Sequence, residues 1–178
     1  DILQKLNSRV AAFSPDEDVI RLTTHNSQAD NVNSSKLERL PGEPSMFEAE
    51  IEGEFPENSY PADNVLLLKK GAQVMFVRND AEGRFYNGKI GVVESITAGG
   101  AVTVTDQEGQ SIAVEPSEWE NIEYALEEES GEIMPKVIGK FRQLPLRIAW
   151  AVTIHKSQGL TFDRVIIDAG AAFAFGQV

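Results

Sequence analysis

Residues Ile148–Asp168 read IAWAVTIHKSQGLTFDRVIID, two apolar runs rich in β-branched residues with a polar loop between them. The first run, Ile148–Val152, predicts a strand, and Phe162–Asp168 predicts a second. The connection is shorter than the ~10–12 residues of a full βαβ crossover, so at most one helical turn fits between them. Thr153–Gly159 therefore brings two hydroxyls, an imidazole, an ammonium and a carboxamide into one short loop. Gly159 allows a tight turn and close approach of a ligand to the backbone. At the carboxyl ends of strands in an α/β sheet, such a loop lies where ligands bind. Thr, Lys and backbone N–H groups are suited to phosphate oxygens. Gln158, able both to donate and to accept, is suited to orienting a nucleotide phosphate or its attacking water. His155 alone reads better as a structural histidine; the density of polar groups around it favours a site.

Working outward toward the N-terminus, Ile2, Leu6, Val10 and Phe13 keep the spacing of a helix with one apolar stripe. Val19–Thr24 predicts a short strand, and His25-Asn26-Ser27 supplies candidate N-caps for a helix carrying Ala29, Val32, Asn33, Leu37 and Leu40. Pro41-Gly42 stops that helix. After Pro44 the pattern changes. Phe47, Ala49 and Ile51 alternate with glutamates, as in a half-buried strand. Four β-branched runs follow, Ala72–Val77, Lys89–Ile96, Ala101–Thr105 and Ser111–Val114, divided by turn signals. They predict an antiparallel meander or small barrel with Val74, Phe76, Ile90, Val92, Val102, Val104 and Ile112 in its core. Asn87-Gly88 reads as a turn and Gly91 as a bulge or tight bend. Ile122–Leu126 and Ile133–Phe141 predict one more hairpin around Glu127–Glu132. The chain reads as an α/β domain interrupted by a β insertion.

The composition narrows the function classes. The chain has 178 residues, 42% of them hydrophobic, enough for a buried core. No apolar run approaches the ~20 residues of a membrane-spanning helix. The absence of Cys excludes disulfides and thiolate metal sites and fits a cytoplasmic location. His25 and His155 stand too far apart in sequence to suggest a histidine metal site, and no metal is expected. Nothing in the N-terminal residues resembles a signal peptide, and the lack of an initiator Met suggests a piece of a longer protein. The net charge is −12, a poor prior for nucleic-acid binding. Charge is uneven, however. Lys136, Lys140, Arg142, Arg147, Lys156 and Arg164 face only Asp163 within Ile133–Ile167, a local balance of +5 that leaves −17 elsewhere. No phosphate-cradling loop of the Gly-x-x-x-x-Gly-Lys-Ser/Thr kind occurs, nor a Gly-x-Gly-x-x-Gly or Gly-x-Ser-x-Gly pattern. The acids Glu127–Glu129 read as an exposed turn rather than a general acid and base, so no self-sufficient catalytic centre is visible.

AWAVTIHKSQGLTFDRVIID, Ala149–Asp168, resembles helicase motif V of superfamily 1 group B enzymes, the RecD-like and petite-integration-frequency type. LLLKKGAQVMFVRND (Leu66–Asp80) and YNGKIGVV (Tyr86–Val93) resemble the opening of the β domain inserted in these helicases. IRLTTHNSQADNVN (Ile20–Asn33) resembles the start of their second motor domain. The resemblance implies a RecA-like P-loop-helicase second domain, of α/β class, interrupted by an antiparallel SH3-like β-barrel insertion. It divides the chain into residues 1–64, the first part of motor domain 2; 65–143, the insertion; and 144–178, the return to motor domain 2 with motif V. It further implies an ATP-dependent DNA helicase that moves 5′ to 3′ on single-stranded DNA, using ATP and Mg²⁺ held mainly by residues absent from this chain. Thr153, His155 and Lys156, with Thr24 and Asn26, are implied to face single-stranded DNA. Gln158 and Gly159 are implied to lie toward the ATP cleft, closed by the first motor domain. No membrane partner is expected, and the protein is expected to act as a monomer. With its Walker loop and final arginine-bearing motif missing, the piece alone should be inactive. The rivals are a non-enzymatic DNA- or protein-binding module and the helicase section of a conjugative relaxase.

Overall fold

The computed structural model describes residues 4, 5, 8, 19–126, 133–162, 164–168 and 170. The helix expected over residues 2–13 and the turn at Glu127–Glu132 thus lie wholly or largely outside the described residues. In chain order the elements are β1 (Ile20–Thr23), helix α1 (Asn26–Arg39), β2 (Ser45–Glu48), β3 (Glu50–Gly53), β4 (Val65–Leu68) and β5 (Gln73–Phe76). There follow β6 (Ile90–Ile96), β7 (Val102–Asp106), β8 (Ser111–Val114), β9 (Ser117–Leu126) and β10 (Ile133–Gln143). The chain then forms β11 (Leu146–Ile148), β12 (Ala151–Thr153) and β13 (Val165–Ile167).

β1 is the middle strand of a parallel sheet ordered β12-β1-β13, with Thr23 level with Thr153 and Leu22 level with Ile167. α1 covers it. The Asn33 carboxamide reaches the far edge of β12, where its Nδ2 donates to the Ala151 carbonyl and its Oδ1 accepts from the Ala151 N–H, both at 2.9 Å. One side chain therefore supplies what a neighbouring strand would, and closes that edge. Lys36 and Arg39 in the last turn of α1 suit the negative end of its dipole.

The strands between β1 and β12 are antiparallel. Five form one sheet in the order β11-β5-β6-β7-β8, and β3-β10-β9 and β2-β4 form two more. Among the described residues the five-stranded sheet does not close on itself: β11 and β8 remain its two edges. Of the expected core, Val74, Phe76, Val102, Val104 and Ile112 are buried, and Ile90 packs at the edge of a second cluster. Val92 is a correction. It is 44% exposed, and Val93 takes the inward position. Gly91 decides the phase, since a Cβ there would stand 2.4 Å from Val104 Cγ1 and 2.8 Å from the Thr105 carbonyl oxygen. The strand thus presents Gly91 and Val93 to the interior.

Two expected strands are each divided. Phe47–Ile51 breaks at Ala49, whose N–H donates to the Asn64 carbonyl; β2 then pairs with β4, and β3 with β10. Ile148–Val152 breaks at Ala149-Trp150, so that β11 joins the antiparallel sheet and β12 the parallel one. Both halves of that run are buried, which is why its hydrophobicity conceals the break. The main core joins the two architectures. Leu66, Leu68, Val74, Phe76, Val93, Val104, Leu146 and Trp150 form one cluster, against which Val32, Leu37 and Leu40 of α1 and its end pack. At ~1.5–3 kcal/mol for each large apolar side chain buried, this cluster holds the sheets to the helix. A second cluster of Ile20, Met75, Ala149 and Val152 takes Ile90 from β6 and Leu160 and Phe162 from the loop before β13.

Candidate functional site: a polar cleft at the carboxyl ends of β1 and β12

β1 and β12 run parallel, so Thr23-Thr24 and Thr153-Ile154 leave the sheet side by side at its carboxyl edge. Ile154 N–H donates to the Thr23 carbonyl at 2.9 Å, extending the ladder one residue into the loop. His155–Ser157 then forms a single 3-10 turn, the one turn that the spacing allows. Ser157 is buried and its Oγ donates to the Ile154 carbonyl at 2.8 Å, which ties the turn down. Thr153 is buried too, and its Oγ1 accepts from the Lys156 N–H at 3.4 Å. Gly159 adopts φ +78°, with nothing within 4 Å of where a Cβ would stand.

Beside this turn, between α1, β12 and the β2–β4 ribbon, lies a cleft of about 270 Å³. Asn26, Asp30 and Asn33 of α1, Thr153 of β12, Lys156 of the turn, Arg147 of β11 and Asp63 line its polar side. Burial, and then the nearby Arg147, push the Lys156 ammonium below the usual lysine range; Asp63 and Asp30 pull the other way. Arg147 Nε is cut off from solvent, has no hydrogen-bond partner, and faces Asp63 Oδ1 at 3.6 Å, beyond hydrogen-bonding range. The cleft thus gathers two cations, Arg147 and Lys156, with two carboxylates, Asp30 and Asp63, and leaves the Arg147 Nε donor without a hydrogen bond. Oxyanions of a phosphate have the complementary chemistry.

Of the expected site residues, Asn26, Thr153 and Lys156 meet in this cleft. His155 is exposed on the same turn but does not line it. Thr24 is buried, with its hydroxyl 2.8 Å from His25 Nδ1 and 3.3 Å from Gln28 Oε1, so it braces the start of α1. His25 is the N-cap residue of α1 yet makes no side-chain cap bond. Gln158 and Gly159 lie exposed beyond the turn, outside the cleft. Sequence reading missed Arg147, Asp63 and Asn33. Arg147 stood out only as one of the six basic residues of the locally positive stretch Ile133–Ile167. Asp63 and Asn33 are brought in by contacts between residues far apart in the chain.

No family model matches the chain. It is 33% identical over 97% of its length to 38% of the ATP-dependent DNA helicase Pif1 of Bdellovibrio bacteriovorus. Among solved structures, Pif1 of Bacteroides sp. in complex with ADP-AlF4 superposes with a TM-score of 0.80 and 38% identity over 90% of this chain and 36% of that one. Bacteroides Pif1 bound to ssDNA gives a TM-score of 0.77 and 36% identity over 97% of this chain and 40% of that one. The fold is that of a helicase domain. Within that class the chain belongs to the Pif1-type superfamily 1 group B helicases, and it spans roughly two-fifths of the length of these relatives.

Proposed function

We propose that the chain is the second motor domain of an ATP-dependent DNA helicase that travels 5′ to 3′ on single strands. Residues 1–64 and 144–178 contribute to the motor, and the antiparallel strands of residues 65–143 are its SH3-like insertion. The observation that carries the reading is the convergence of Asn26, Thr153 and Lys156 in one cleft at the carboxyl ends of β1 and β12. There the nucleic-acid backbone would be gripped through its phosphates, by a hydroxyl, an amide and an ammonium. Gln158 and Gly159, exposed beyond the turn, would complete one wall of a nucleotide cleft whose phosphate loop lies in another domain of the same protein. ATP with Mg²⁺ would supply the energy for stepping. The relatives named for ATP-dependent helicase activity, and the Bacteroides structures with ADP-AlF4 and with ssDNA, support the assignment.

The test is made in the full-length protein, with single-strand binding and DNA-stimulated ATPase measured side by side. Thr153→Ala and Lys156→Ala should each weaken single-strand affinity about tenfold or more, the value of a lost charge-assisted hydrogen bond. Gln158→Ala should leave affinity nearly intact and lower ATPase turnover. Exposed Ile122, Tyr124, Ile133 and Val137 on the β9–β10 ribbon favour a second reading, a protein-docking module. Unchanged DNA binding in both cleft variants, with unchanged turnover in the Gln158 variant, would favour it instead.

A further inference from the structure

Arg147 keeps a buried donor atom of the cleft, its Nε, without a hydrogen-bond partner. It sits on β11 between buried Leu146 and Ile148, opposite Met75 of β5, so its backbone is fixed by the five-stranded sheet. Its side chain is 17% exposed and is directed to the cleft that Thr153 and Lys156 line. A guanidinium carries five donors in a planar fork that fits two oxygens of a carboxylate or phosphate. Here Asp63 offers one oxygen at 3.6 Å, and the Asp63 side chain is 46% exposed. The pair is close enough for attraction and too long for a hydrogen bond. Asp63 is itself held from the backbone, its carbonyl accepting from Gln143 Nε2 at 3.2 Å, so it cannot simply follow the guanidinium. Neighbouring Lys156 is repelled by Arg147 and drawn by Asp63 and Asp30, so Asp63 acts on both cations.

Resting on the DNA-binding reading above, we propose that Arg147 is a further phosphate contact of the single-strand track and that Asp63 is its internal competitor. In the free protein Asp63 stands in for the phosphate. A strand entering the cleft gives Arg147 the two-oxygen partner that Asp63 does not supply, and Asp63 is released toward solvent. The cleft is thereby kept from holding other anions tightly, and grip depends on an oxyanion that engages Arg147 and Lys156 together.

The experiment is a double-mutant cycle in the full-length protein. Binding of a fluorescein-labelled oligothymidylate is titrated at several salt concentrations, and thermal melting checks each variant. Arg147→Gln should weaken binding about fivefold or more and reduce the salt slope by ~0.7, the value of one phosphate contact on a single strand. Asp63→Asn should tighten binding about threefold or more. In the Arg147→Gln background Asp63→Asn should change affinity less than half as much. Should Arg147→Gln fail to fold, Arg147→Lys keeps the charge and the stem and should still lose affinity through loss of the fork. Equal tightening by Asp63→Asn with and without Arg147 would make Asp63 a plain repulsive charge and overturn the proposal. If Thr153→Ala and Lys156→Ala weaken binding while neither Arg147 variant does, this inference alone falls. If none of the cleft variants weakens binding, the DNA-binding reading falls with it.

Discussion

Lys89 in the antiparallel sheet and Lys156 at the end of the parallel one are both lysines with carboxylates for neighbours, and the two regions treat them in opposite ways. Lys89 Nζ lies 2.7 Å from Asp106 Oδ2 and 3.2 Å from Glu108 Oε2. Its hydrogen bond with Asp106 holds the ammonium above the usual lysine range and the Asp106 carboxyl below the usual carboxylate range. Asp106 Oδ1 accepts from the N–H groups of Glu108 and Gln110 as well, so the pair also stitches the β7–β8 turn. Lys156 is shifted the other way, by burial and by Arg147. An ionised group held at 2.7 Å by an opposite charge stabilises its own domain. Lys156 is exposed as a residue, and its ammonium lies where a ligand arriving from outside can reach it. The antiparallel sheet has the character of a scaffold, and the carboxyl edge of the parallel sheet that of a site.

The largest effect should come from breaking the scaffold at Gly91. Gly91→Val places a branched side chain where even a Cβ would stand 2.4 Å from Val104 Cγ1 and 2.8 Å from backbone. Neither neighbour yields cheaply, because Val104 is fully buried and the backbone belongs to β7. A loss above ~4 kcal/mol is expected, at the far end of what single substitutions cost. Denaturant melting would show it; a loss below ~1 kcal/mol would mean that the sheet gives way easily.

Next in size is Asp106→Asn, expected to cost about 2–3 kcal/mol near neutral pH, with Glu108 left to hold Lys89. Its sign with pH follows from the lowered carboxyl. The stability that Asp106 contributes is present above the ordinary Asp value of ~3.9 and is lost as pH falls through the lower folded-state value. Melting curves of the two proteins should therefore converge below about pH 4. A gap that stays constant into acid would show that the cost comes from packing and not from the ion pair.

Asn33→Ala tests the seam between the regions. It removes both hydrogen bonds to Ala151 and leaves one N–H and one carbonyl of β12 unmatched. Roughly 2 kcal/mol of stability should be lost. Because β12 leads straight into Thr153, the faster hydrogen exchange expected at Ala151 should extend to the Ser157 amide, and should leave β6 and β7 protected.

Much of the scaffold was legible in the sequence because it follows local periodicity. β8 spans the expected Ser111–Val114, and α1 contains the expected Ala29, Val32 and Leu37, with Leu40 at its C-cap. The single turn at His155–Ser157 follows from spacing alone. What was not legible depended on neighbours distant in sequence. The choice of Val93 over Val92 rests on how closely β7 approaches Gly91. The break at Ala149-Trp150 is a change of sheet within one apolar run, where hydrophobicity carries no mark. At the site, Thr153, Lys156 and Asn26 carried their chemistry in their own loops. Asp63 meets Arg147 only through the fold, and no local pattern links them.

The smallest effect should come from Gly159, and it separates the two reasons for which a chain keeps glycine. At Gly91 the obstacle is space, so every side chain is harmful and larger ones more so. At Gly159 space is open and the obstacle is φ +78°. Gly159→Ala should therefore cost only ~1–2 kcal/mol, the strain of an L-residue in the left-handed region. Asn tolerates that region better than most residues. Gly159→Asn should then be more stable than Gly159→Ala, although its side chain is larger. At position 91 the order should be reversed, with Asn worse than Ala. Thermal melting of the four variants checks both orders at once. If Asn proved worse than Ala at position 159 too, that loop would be packed as tightly as the scaffold, and the contrast between the two regions would not extend to their backbones.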